Sequence, residues 1–229
     1  MSPLRKTALA AGVCYLLTFV SIPTLALYGP VRNDPNYVVG PGPDTAVRLG
    51  GLLEIIVALA GVGTAVALYP VLKRQNEAAA LGFVGSRALE GAGILAGVAC
   101  LLTIVSLREA GAGNAALVAG QTLAILYGRI FLVSQSLLPI VNDLLLGYLL
   151  YKSRLVPRAL PLIGLIGAPI LAISTLGTLF NVLGEFSSLS ALFALPVAVF
   201  EFSIGVYFTV KGFRPSPLTS TNATTQAAP

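Results

Sequence analysis

Residues 47–72 read VRLGGLLEIIVALAGVGTAVALYPVL, and the run stops at Lys73-Arg74-Gln75-Asn76-Glu77. About 20 predominantly apolar residues are enough to cross the hydrocarbon core of a bilayer as a helix. This stretch is longer than that and carries one acid, Glu54, in its interior. Gly50, Gly51, Glu54, Ala58, Gly61 and Ala65 fall on one stripe of such a helix. Small residues in that pattern let a second backbone approach closely. The stretch therefore reads as a membrane-spanning helix with a packing face, and the rest of the chain can be searched for its partners.

Five further runs have the same character, over residues 7–28, 79–107, 122–151, 159–183 and 189–210. Arg5 and Lys6 precede the first run as they would a signal peptide. Its apolar part exceeds the roughly 7–15 residues of a signal core and no small-residue cleavage pattern follows, so it reads as an uncleaved first helix. Between the first two runs lies a polar loop, residues 29–46, with Pro30, Pro35, Pro41 and Pro43. So many prolines argue against a helix there and for a rigid connector. The expected architecture is all-α: one six-helix transmembrane domain over residues 1–214, followed by a disordered tail over 215–229.

Composition agrees. Of 229 residues, 56% are hydrophobic and 10% charged, where a soluble domain carries about 25% charged residues. Mean hydropathy is +0.88. The formal charge of +5 does not indicate nucleic acid, because the basic residues sit at segment ends rather than in one patch. Histidine is absent, which removes the usual neutral-pH base and the commonest metal ligand. Cys14 and Cys100 lie in separate apolar runs with no metal or redox spacing, and read as small buried hydrophobes. No cofactor-binding motif is present.

Lysine and arginine collect on the cytoplasmic side of membrane proteins. With the N-terminus inside, that side holds Arg5, Lys6, Lys73, Arg74, Lys152, Arg154, Arg158, Lys211 and Arg214. Arg32 and Arg108 fall outside, with Arg48 at the boundary. The expectation is a multi-pass protein of the cytoplasmic membrane with both termini in the cytoplasm. The lipid bilayer is its expected partner, with a second membrane protein or another copy of the chain as further possibilities.

Glu54, Arg87, Glu90, Arg129, Asp143 and Glu201 fall inside the apolar runs, with Asn142 beside them. An unpaired charge at mid-helix costs on the order of 3 kcal/mol, so these residues should face inward. Arg129, Ser136 and Asp143 are seven apart and share a face of a regular helix. Pro139 lies between the charges and can kink that helix. Arg87 and Glu90 are three apart and can touch. Depth along the helices, at about 1.5 Å per residue, suggests two groups. One joins Arg129 with Glu54 or Glu201; the other joins Arg87 with Asp143 or Glu90. Glu90 and Glu201 are the candidate protonatable sites.

Three stretches carry a family resemblance. They are Arg5-Lys6-Thr7 with Ala11-Gly12-Val13-Cys14-Tyr15-Leu16-Leu17-Thr18-Phe19, then Arg87-Ala88-Leu89-Glu90, then residues 144–153 with Val156-Pro157-Arg158. Glu201 and the ending Val210-Lys211-Gly212 fit as well. In order and spacing the chain resembles the prokaryotic multi-pass membrane family catalogued as domain of unknown function 4386. The resemblance implies six helices and no particular activity. The fourth helix departs from the family's pattern in its Arg129, Gln135 and Asn142-Asp143.

For function, the residues favour a non-catalytic membrane component. The alternative is a small transporter or channel for a solute, ion or proton that uses the buried charges. A membrane enzyme is third, since no phosphate loop, nucleophile elbow or metal cluster is present. An open cavity reaching Glu90, Asp143 or Glu201 would separate the second reading from the first.

Overall fold

The computed structural model describes residues 1–220, and among these there are helices and no strands. Six helices are long and apolar enough to cross a membrane: Pro3–Leu27, Asp44–Leu72, Glu77–Glu109, Gly113–Ser153, Ala159–Leu179 and Ser188–Val210. They are called the first to sixth spans below. Each packs on the next, and the sixth returns to pack on the first, so the spans form a closed ring. Large apolar side chains such as Leu52, Leu59, Val66, Leu89 and Ile173 are exposed. They suit contact with hydrocarbon rather than water.

Local chemistry sets several of the ends. Asn76 accepts a hydrogen bond from the Ala79 amide (3.0 Å) and starts the third span. Ser187 accepts one from the Ser190 amide (3.2 Å) and starts the sixth. These side chains satisfy amides that have no partner within their own helix. Arg154 (φ 56°) ends the fourth span in the left-handed region. The small-residue stripe of the second span is buried along its length. The first and sixth spans cross where Gly12 meets Gly205 and Thr209; a Cβ on Gly12 would lie 2.5–2.8 Å from their atoms.

The two ends of the ring differ. At one end Arg5 donates to the Phe208 carbonyl (2.7 Å) and to that of Thr209. The Arg214 amide donates to Leu155 O (2.8 Å), and Arg74 donates to Leu218 O (3.1 Å). The N-terminus, residue 218 and most basic residues therefore share this end. At the opposite end Arg48 meets Glu109 (2.6 Å), and Arg108 pairs with Asp44. Arg108 also donates to the carbonyls of Gly40 (2.7 Å) and Gly42 (3.2 Å), tying the long first connector to the third span.

Four expectations change in detail. The connector over 29–46 is partly helical: Gly29–Asn33 form a short helix with Pro30 in its first turn, where its missing N–H costs nothing. The fifth span stops at Leu179, and Asn181 is exposed in the left-handed region. Residues Pro217–Ser220 make a helical turn, and Leu218 packs on the core. The start of the expected disordered tail is thus packed, while its part over 221–229 lies outside the described residues. Lastly, the fourth span is not one regular helix. Residues Leu132–Leu137 form a π-helical turn ahead of Pro139. Proline has no N–H to continue the regular ladder, and a wider turn absorbs the break.

Candidate functional site

The ring encloses a cavity of about 600 Å³ to which all six spans contribute lining residues. Its polar floor is Arg87 and Glu90 of the third span with Glu201 of the sixth. Hydroxyls of Ser174, Thr175 and Thr178 stand on one wall, and Phe19, Val57 and Ile94 supply apolar surface. Ile22, Leu25 and Leu195 line it and are also exposed, so it is open between the first and sixth spans.

Arg87 organises the floor. Its side chain is 3% exposed. Nη1 donates to Glu90 Oε2 (2.9 Å), one turn along the same helix. Nη2 pairs with Glu201 Oε1 and lies 3.4 Å from the Tyr15 hydroxyl. Asn142 Nδ2 donates to the same Glu90 oxygen at 2.7 Å. Side chains from four spans thus join in one network around Arg87, the fourth span through Glu90. Such convergence offsets the desolvation that makes a lone buried charge costly. Asp143 is 0% exposed, and among the described residues neither of its oxygens has a hydrogen-bond partner. Its electrostatic neighbours are Glu201, Arg87 and Glu90.

A second polar group lies nearer the opposite end. Glu54 is 1% exposed and accepts from the Tyr127 hydroxyl at 3.3 Å. Tyr28 packs edge-on against Tyr127. Closer to the mouth, Arg129 lies 3.5 Å from Glu185, in the loop between the fifth and sixth spans. Arg32 stacks over the Phe186 ring, 3.7 Å from its centroid. Burial pushes the Glu185 carboxyl above the usual range, opposed in part by Arg129 and Arg32. Arg32, Glu185 and Phe186 border both the main cavity and a smaller one of about 450 Å³.

The expected residues therefore divide. Arg87, Glu90 and Glu201 come together, with Asn142 bonded to them and Asp143 behind. Arg87 pairs with Glu90 on its own helix and with Glu201 of the sixth span, and makes no hydrogen bond to Asp143. Glu54 stands apart, and Arg129 meets neither Glu54 nor Glu201. The π turn explains this. An extra residue in the turn shifts the helix phase between 129 and 143, so a seven-residue spacing no longer holds one face. Ser136 lines the main cavity, while Arg129 borders only the smaller one beside the mouth, its side chain 52% exposed. Tyr15, Arg32 and Glu185 were not singled out by sequence. Tyr15 sits 72 positions from Arg87, and Glu185 lies in what reads as an ordinary polar turn.

A helical ring with a buried ionic floor and an open side defines a multi-pass integral membrane protein. The match of the family described as Domain of unknown function (DUF4386) covers residues 10–212, and the chain belongs to that family. Neither the curated proteins nor the solved structures contain a match to it.

Proposed function

We propose that the chain binds a small solute in the ring's cavity and carries it across the cytoplasmic membrane. The observation that supports this reading is that the cavity reaches Arg87, Glu90 and Glu201 rather than ending on apolar side chains. A component that only ties helices together has no use for a polar chamber of about 600 Å³, which lies within the size range of ligand sites. Ionisable groups deep in a membrane are functional candidates by default. The distribution of lysine and arginine favours cytoplasmic termini, and the mouth bordered by Arg32 and Glu185 then opens outward.

Purified protein in vesicles loaded with a pH-sensitive dye tests the reading. A mixture of small amines, acids and polyols is added outside. The native chain gives a dye or solute-uptake signal, and Glu201→Gln, which keeps the side chain's size but not its charge, loses most of it. Monodisperse native protein that moves neither protons nor any added solute overturns transport.

A further inference from the structure

The floor of the cavity has more acid than base. Three carboxyl groups, Glu90, Glu201 and Asp143, surround one guanidinium, and Asp143 is wholly buried without a donor. Glu90 spends Oε2 on Arg87 and Asn142, and Glu201 spends Oε1 on Arg87. Among the described residues, the other oxygen of each carboxylate accepts no hydrogen bond. Both residues line the cavity. The chamber thus presents two acceptor oxygens without donors, in front of a buried carboxyl that also has none.

Charge and hydrogen bonding narrow the occupant. An anion finds little here, because both terminal nitrogens of Arg87 are already committed to carboxylates and only Nε lacks a partner. A bare metal ion is poorly served too. Among the described residues no group of three histidine, cysteine or acidic side chains is placed to hold one. A protonated amine supplies both missing things, a positive charge and N–H donors, and charge-assisted bonds of this kind are the strong ones. The apolar walls at Phe19, Val57 and Ile94 suit a hydrocarbon body behind the nitrogen.

We infer that the cavity takes a small amine with an apolar body, bound as its ammonium with N–H groups on the free oxygens of Glu90 and Glu201. This rests on the reading of the cavity as a solute site and adds the chemical class. The amine enters past Ile22, Leu25 and Leu195, where the chamber is open. Its nitrogen then stops at the floor while its body stays against the first three spans.

Three probes of nearly one shape decide it: 2-phenylethylamine, 2-phenylethanol and 3-phenylpropionate, each titrated into the purified full chain and followed by calorimetry. The amine binds saturably at one site and the other two do not. Glu90→Gln and Glu201→Gln each weaken amine binding by about tenfold, the loss of one charge-assisted bond. The probe comparison on the native chain needs no variant to fold. If the alcohol or the acid binds as well as the amine and competes with it, the ammonium assignment fails and the solute site stands. If none of the three binds, both fail.

Discussion

The floor and the mouth of the cavity are built from the same residue types and work differently. At the floor, Arg87 is 3% exposed and is held by carboxylates from two helices, with Tyr15 and Asn142 closing the set. At the mouth, Arg129 is 52% exposed and meets one carboxylate, Glu185, from a loop. Water screens the second pair and not the first. Helices fix the geometry of the floor, whereas the mouth depends on a connector of a few residues between the fifth and sixth spans. The lesson is that an ion pair's role follows from what carries its partners, and only the loop-borne pair can part without moving a span.

That contrast can be broken by stability measurements on the purified protein in detergent. Arg87→Met should cause the largest loss, about 3–5 kcal/mol, because it strands buried carboxyl groups without their counter-charge. Arg129→Met should cost less than about 1 kcal/mol, as expected for a half-exposed pair. Equal losses at the two arginines would erase the distinction.

Between these extremes, Asn142→Leu removes the neutral donor to Glu90 and should cost about 1.5–3 kcal/mol, since the lost bond is to a charged group. Tyr127→Phe removes the hydrogen bond from Tyr127 to Glu54 and should cost about 1 kcal/mol. A denaturation series on the two variants ranks them; a larger loss at Tyr127 would make Glu54, not Arg87, the better-determined centre.

The smallest effect belongs to Glu185. Burial raises its carboxyl above the usual range, so the folded state holds that proton more tightly than the unfolded chain does. This group therefore favours folding at low pH, and the advantage is lost as pH rises through its folded-state value. Glu185→Gln removes the dependence. Native and variant stabilities should converge at acid pH and part by less than about 1 kcal/mol above it, with the variant the more stable. A variant that weakens progressively as pH rises would show that the pairing with Arg129 outweighs the burial.

Much of the fold could be read from hydropathy, because crossing a bilayer imposes a length and an apolar composition that few other structures share. The pairing of Arg87 with Glu90 was legible too, being a contact within one helix turn. Glu201 could be placed near mid-depth but not assigned to Arg87, since which spans adjoin is decided by packing around a closed ring. The error at Arg129 has a local cause. A π turn over Leu132–Leu137 leaves no periodic trace in the sequence beyond Pro139, and it turned a predicted inward face toward the mouth. Residues on connectors, Arg32 and Glu185, had no spacing rule to reveal them.

The clasp between Arg5 and the carbonyls of residues 208–210 sets an order of events during synthesis. Spans one to five can enter the bilayer and associate as they leave the ribosome, but they form an unfinished crescent whose charged interior stays open to one side. The first helix must wait beside that gap until the sixth emerges, some two hundred residues later. A nascent chain stalled before Gly205 would present an unsealed acidic groove to whatever holds polytopic proteins during insertion, and its maturation would hinge on the last helix to be made.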